Sequence, residues 1–344
     1  MASVWQSTTR RLDNQRTLPE HEKFVSALRI VVLGAGGVGG YFGARLARTG
    51  ESITLLARGA HLDAIRREGL RVRSSVEGEY VVKVEAVDRL DGQPPADAVL
   101  VCVKAFDTER ALAAVRPVVG ASTAVLSLQN GVDSADTIEA VLGPGHAVGG
   151  AAYVFASIEA PGVITHRFAG RLAFGELDGR ISTRCQRLRE AFERAGVPVE
   201  VSTDIRRVLW EKYLLICAQA AVTAITRCPT GVIREVPETW RLYRLILEEL
   251  ASLAGAAGIT LSPNIVESLM KAAAALGAET TSSLAYDLSQ GKRLELEALH
   301  GHAVRLAERL GVAVPTVFAV YAALKPYALG PARLPGGEPR ARSA

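Results

Sequence analysis

LRIVVLGAGGVGGYFGARLART, residues Leu28 to Thr49, holds three elements in a fixed order. Leu28–Leu33 is a run of apolar, β-favouring residues with no alternation, as expected of a strand buried on both faces. Gly34-Ala35-Gly36-Gly37-Val38-Gly39 follows in the pattern G-x-G-x-x-G. Val38–Thr49 then reads as a helix, stopped by Gly50. In this context the glycines allow a tight turn, close approach of a pyrophosphate and close packing of the helix, whose N-terminus offers N–H donors to an anion. The sequence therefore opens with a candidate dinucleotide-binding unit.

Further along, Ser52–Ala57, Asp97–Val103 and Thr123–Leu128 are also short apolar strands separated by helical stretches. Leu70–Val87 alternates and turns at Glu77-Gly78, the pattern of a hairpin. More β character follows through AVGGAAYVFASIEAPGVITHRFAGRLAFGEL. Together these predict a doubly wound parallel sheet of the Rossmann type over residues 28–203. From about Thr203 the chain becomes rich in Ala and Leu and shows no further strand. Residues 204–330 are expected to form an all-helical substrate and dimerisation domain.

The second strand ends Leu56-Ala57-Arg58-Gly59, with no acid until Asp63. An NAD site usually places Asp or Glu there to bind the ribose 2′-hydroxyl, whereas a guanidinium suits a 2′-phosphate. Arg58 therefore favours NADP(H), the competing reading being a solvated surface arginine. Lys104 and Asn130 follow two other strands at carboxyl ends, where open α/β sheets bind ligands. Either could equally be a loop residue, and Asn-Gly is by itself a common turn.

The stretch RRVLWEKYLLICAQAAVTAITRCPTG, from Arg206 to Gly231, reads as a helix apolar almost all round, with one lysine, Lys212, near its start. An ammonium there is either directed at the domain junction or reaches out of the first turn to water. Hydride delivery to a carbonyl leaves an alkoxide that needs a proton, and a lysine of lowered pKa supplies it. Such a lysine needs a carboxylate to orient it, and the last third of the chain offers Asp287, Glu295 and Glu297.

Here the sequence resembles the ketopantoate reductase (2-dehydropantoate 2-reductase) family. The motifs are VLGAGGVGGYFGARLA, LLARGAHLDAIRREGL, VCVKAFDT, SLQNGVD, LWEKYLL and SSLAYDLSQGKRLELEALHG, in the family's order between Leu28 and Pro326. The resemblance implies a Rossmann domain joined to a helical domain like that of 6-phosphogluconate dehydrogenase, and NADPH-dependent reduction of a 2-oxo acid to a 2-hydroxy acid. It further implies that Gly34 to Gly39 hold the pyrophosphate and that Arg58 and Lys104 lie by the adenosine 2′-phosphate. Asn130 would lie by the nicotinamide and substrate. Lys212 would be the general acid, Ser283 would bind substrate, and Glu295 would orient the lysine and reach the cofactor. Where ketopantoate-specific members carry asparagines, this chain has Ile216, Ala220 and Thr230. Gln219 is about 100° round the helix from Ala220 and does not simply replace a lost amide. The substrate is therefore open between 2-dehydropantoate and another, more apolar 2-oxo acid or an imine. A non-catalytic NADP(H)-binding module is the third reading, and a retained Lys212/Glu295 pair speaks against it.

A net charge of +4 without a basic run gives no expectation of nucleic acid. The longest apolar window, Leu214–Ile225, is too short to span a bilayer. Cys102, Cys185, Cys217 and Cys228 lack C-x-x-C spacing and read as free thiols of a cytoplasmic protein. His300-x-His302 does not suggest a metal, because residues two apart on a helix diverge. Residues 1–27 lack the apolar core of a secretory signal and read as a flexible extension, and residues 331–344 as a disordered tail. The apolar second-half helices offer a surface on which a homodimer could form.

Overall fold

The structure, a computed structural model, describes residues 27–332. The expected extension and most of the expected tail lie outside the described residues. In chain order the first part comprises β1 (Arg29–Leu33), α1 (Gly37–Ala47), β2 (Ser52–Leu56), α2 (Gly59–Glu68), β3 (Leu70–Ser74), β4 (Gly78–Val82), β5 (Glu85–Val87) and β6 (Ala98–Val101). It continues with α3 (Thr108–Val115), β7 (Ala124–Ser127), α4 (Ser134–Leu142), β8 (Ala147–Ala160), β9 (Val163–Glu176), α5 (Thr183–Arg194) and β10 (Val199–Val201). The second part is helical: α6 (Ile205–Thr226), α7 (Thr230–Glu235), α8 (Pro237–Ala256), α9 (Ile265–Ala274), α10 (Ser283–Ser289), α11 (His302–Leu310) and α12 (Pro315–Leu324). A π-helical segment, Glu297–Gly301, leads into α11.

The strands form one ten-stranded sheet in the order β4-β3-β9-β8-β7-β6-β1-β2-β5, with β10 beside β9. Its centre is the parallel Rossmann arrangement, in which β1 pairs with both β2 and β6, and β6 with β7. Ile30, Val32, Leu55, Val99, Leu100 and Leu126 are fully buried there, which is why these strands read as unbroken apolar runs.

The expected parallel centre is present, and antiparallel pairs beside it make the whole sheet mixed. β8 and β9 are joined by a tight turn at Pro161-Gly162, and a connection that short permits only antiparallel pairing. The run Leu70–Val87 is also not a single hairpin. β3 and β4 pair antiparallel, but β5 pairs with β2 at the other end of the strand order. Only Lys83 and Val84 separate β4 from β5. Three peptide steps reach about 11 Å, so the sheet must curl until its two ends are neighbours. Three register shifts in the β8–β9 ladder permit the bend. α1 packs inside the curl against β1, β2, β3, β8 and β9.

The all-round apolarity of α6 follows from its position in the second core. Tyr213, Leu214, Cys217, Ala218, Ala221 and Val222 are fully buried, and the helix packs against α8, α10, α12 and β8. Its 22 residues are long and apolar enough to cross a bilayer by length and composition, beyond what the shorter apolar window suggested. Instead, 67% of the apolar stretch is buried within the protein.

Candidate active site at the domain junction

The glycine-rich turn is built for close approach. Gly34 has φ +101°, and a Cβ there would lie 2.8 Å from Val103 Cγ1. A Cβ at Gly39 would meet Gly34 O at 2.1 Å, and one at Gly37 would meet Ala156 O at 2.1 Å, where the bent β8 crosses α1. Gly36 occupies the N-cap position with no side-chain cap, and no acid sits in the first turn. Free N–H groups at the positive end of a helix favour an anion. Ala35 is buried and Val38 partly so. His61 fixes the turn from outside: Gly162 N–H donates to Nδ1 (3.0 Å), which leaves Nε2 to donate to Ala35 O (2.8 Å). Burial lowers the His61 pKa, although the Ala35 carbonyl opposes the shift, so the ring acts as a neutral brace. Nothing in the residues around His61 points to this role, because Gly162 is 101 residues away in the chain.

Arg58, at the end of β2, is 79% exposed. The acid missing from that strand is supplied by another loop: Asp107 Oδ2 lies 3.6 Å from the Arg58 guanidinium, and Asp107 Oδ1 accepts from Arg110 at 2.8 Å.

Lys104 joins the two halves of the molecule. Its Nζ is 2.8 Å from Asp287 Oδ2 on α10 and 2.8 Å from Glu295 Oε2 ahead of the π-helical segment. Glu295 Oε1 also accepts the Ala105 N–H at 3.0 Å, and Arg293 lies 4.0 Å above the Phe106 ring. Partial burial pulls the Lys104 pKa down, but the two carboxylates outweigh it and hold it above its ordinary value. This departs from the expected pairing, because Glu295 is hydrogen-bonded to Lys104 and not to Lys212. Glu295 was chosen over its neighbours for Lys212, and nothing local in the sequence shows that the Lys104 loop arrives at the same point.

Lys212 is 7% exposed, and no hydrogen bond or ion pair joins it to another described residue. Its Nζ lies 5.7 Å from the centre of the Tyr153 ring on β8, so it faces the junction instead of reaching into water. Burial pulls its pKa from 10.5 down to about 8, opposed by the charge of Glu295. The lysine is thus a desolvated ammonium within the field of a carboxylate engaged elsewhere. Tyr153 escaped sequence reasoning because it lies deep in a strand of the other half.

The surrounding loops are tied together by polar contacts. Asn130 is partly buried beyond β7. Its neighbour Gln129 donates to Val103 O (2.9 Å) and Thr108 Oγ1 (2.7 Å), linking the Asn130 and Lys104 loops. Asp133 and His302 Nδ1 are 3.1 Å apart, a second link between the halves. His300 turns the other way and bonds Cys217 O at 3.0 Å. Ser283 opens α10 and is exposed, while Ser282 is its buried N-cap, bonded to Ala285 N (3.0 Å) and Thr223 Oγ1 (2.7 Å).

Of the three positions that depart from the family's asparagines, only Ile216 retains some exposure. Ala220 is buried, and Thr230 is fully enclosed, donating to Thr280 O at 2.8 Å and accepting from Gln219 Nε2 at 2.7 Å. Thr230 therefore braces the 280 loop and is not an open pocket wall. Gln219, seven residues after Lys212, lies within about 20° of it round the helix. Its Oε1 is buried without a hydrogen-bond partner among the described residues.

The structure thus has a glycine turn shaped for close approach in its Rossmann half and a buried lysine facing that half from α6. Comparison with known proteins identifies the family. The chain matches the family model for ketopantoate reductase PanE/ApbA over residues 30–179 and that for its C-terminal region over residues 204–328. A 2-dehydropantoate 2-reductase of Halobacterium salinarum is 33% identical over 293 residues, spanning 84% of this chain and 95% of the relative. The crystal structure of a PanE/ApbA family ketopantoate reductase from Ralstonia eutropha JMP134 is 35% identical, with TM-score 0.80, covering 87% of this chain and 98% of that one. A ternary structure of D-mandelate dehydrogenase with NADH and anilino(oxo)acetate has TM-score 0.81 over 87% of this chain and 97% of that one; at 20% identity it shows a shared fold. The chain thus belongs to the ketopantoate reductase family and is a 2-dehydropantoate 2-reductase-like oxidoreductase.

Proposed function

We propose that this protein uses NADPH to reduce a 2-oxo acid to the 2-hydroxy acid, with Lys212 as proton donor. The observation that carries the reading is Lys212 itself: a buried ammonium, unpaired, facing Tyr153 across the junction, with its pKa pulled to about 8. A group poised there is protonated at neutral pH and gives its proton up readily. The glycine turn fits a pyrophosphate, since Cβ atoms would fill it at Gly34, Gly37 and Gly39. The cofactor supplies the hydride. Gly34 to Gly39 hold its phosphates, and Arg58 favours a 2′-phosphate over a bare ribose, with Lys104, held by Asp287 and Glu295, assigned to the cofactor by the resemblance. Asn130 and Ser283 are assigned to the substrate, and Glu295 to orienting Lys212. The protein's task is to hold the carbonyl oxygen within reach of Lys212, so that the ammonium stabilises the developing oxyanion and then protonates it.

The substrate is a 2-oxo acid of the 2-dehydropantoate type, the activity named for the relatives. A second reading, an enzyme for a more apolar 2-oxo acid or an imine, is favoured by Ile216 and Ala220 on the lysine-bearing face. A panel of 2-oxo acids with NADPH at neutral pH separates the two. The first reading expects 2-dehydropantoate to be turned over with the highest kcat/KM. Equal or better turnover of pyruvate or 2-oxoisovalerate would exclude it, and failure to reduce any 2-oxo acid would exclude both 2-oxo acid readings and leave only the imine.

A further inference from the structure

We infer that Asp287 is a positioning residue: it keeps Lys104 at the domain junction when Glu295 leaves that lysine for Lys212. The inference deepens the reading of Lys212 as proton donor and rests on it.

The junction holds two cations, Lys104 and Lys212, and two carboxylates, Asp287 and Glu295. The charges balance, but the contacts are uneven. Lys104 has both carboxylates at 2.8 Å, while Lys212 has neither as a bonded partner and senses only the charge of Glu295. Two carboxylates converging on one ammonium repel each other, and a buried ammonium without a partner is unfavourable. A second pairing uses the same four groups with one carboxylate for each lysine. It requires Glu295 to give up Lys104 and the Ala105 N–H and to move to Lys212.

Asp287 is what makes the exchange affordable. Its side chain is 11% exposed on α10, and it holds Lys104 in both pairings, so Lys104 is never stripped of a counter-charge. Arg293 over Phe106 and His302 beside Asp133 keep the halves together independently of Glu295. Without Asp287, release of Glu295 would leave Lys104 unpaired at the junction, so Glu295 would stay where it is and Lys212 would lose its orienting group. Asp287 thus acts through Glu295 and needs no contact with substrate.

The test is a double-mutant cycle in the full-length enzyme, with kcat read at saturating NADPH and 2-oxo acid. Asp287→Asn should lower kcat by about 10- to 100-fold, the scale for a misplaced catalytic group. In a Lys104→Met background, where the competing ammonium is gone and only the Ala105 N–H still holds Glu295, the same change should cost less than about threefold. Asp287→Glu, which keeps the charge, should retain kcat within a similar margin and remains informative if the asparagine variant does not fold. An unchanged kcat in Asp287→Asn, an equal loss in both backgrounds, or a glutamate variant as impaired as the asparagine one overturns the inference. If Lys212→Ala keeps its kcat, the proton-donor reading falls and this inference with it. If Lys212→Ala is inactive while Asp287→Asn is not impaired, this inference alone fails.

Discussion

Glu295 accepts hydrogen bonds from Lys104 Nζ at 2.8 Å and from Ala105 N–H at 3.0 Å, so the carboxylate expected at the catalytic lysine is spent on the nucleotide-side loop. Lys212, whose lowered pKa this charge opposes, remains buried and without a hydrogen bond among the described residues. The junction therefore stores an unsatisfied charge, which the proposed function uses as its proton donor.

Stability should reveal that stored charge. The folded pKa of Lys212, about 8, is below its ordinary 10.5, so folding disfavours the charged form. The penalty is complete below about pH 8 and disappears as pH rises toward 10.5, where the unfolded lysine also loses its proton. Lys212→Met should raise the thermal midpoint at pH 7, by up to about 3 kcal/mol in stability, with the gain shrinking above pH 8. Melting curves at pH 7 and pH 10 test this, and a destabilised variant at pH 7 would contradict the burial account.

The proposed preference for NADPH rests on Arg58. Removing a guanidinium that pairs with a phosphate dianion should weaken NADPH binding by about tenfold or more while leaving NADH nearly unaffected. Fluorescence titration of Arg58→Ala with both cofactors gives the answer, and equal losses would show that Arg58 does not read the phosphate. Asp107, 3.6 Å away, adds a second expectation, since Asp107→Asn should tighten NADPH binding by removing a like charge.

Substrate selectivity should respond at Ile216. It lies one turn beyond Lys212 and keeps some exposure, unlike Ala220 and Thr230. Ile216→Asn should raise kcat/KM for the hydroxylated 2-dehydropantoate relative to 2-oxoisovalerate by about tenfold, the value of one added hydrogen bond. An unchanged ratio would place the substrate tail away from this face.

The parts of the molecule with local causes were legible in the sequence. The glycine turn, the buried strands beside it and the long apolar helix each follow from residues adjacent in the chain. The parts that depend on distant segments were not. Nothing in Leu70–Val87 shows that Glu85–Val87 leaves the hairpin for β2, because that exchange depends on how far the sheet curls. Likewise the spacing of Lys104, Asp287 and Glu295 conceals that they meet, since 183 and 191 residues of chain separate the partners. Thr230 reads as a pocket residue only because it stands where ketopantoate-specific members carry an asparagine. Its bonds to Thr280 O and Gln219 show that it serves the loop.

The central claim is that Lys212 gives the proton, and the most direct measurement is kcat of Lys212→Ala with NADPH and a 2-oxo acid substrate. The account predicts a fall of about 10²–10⁴-fold with NADPH affinity retained, and in the unmodified enzyme a kcat that declines as pH rises through about 8. A Lys212→Ala enzyme that turns over at the unmodified rate would contradict it.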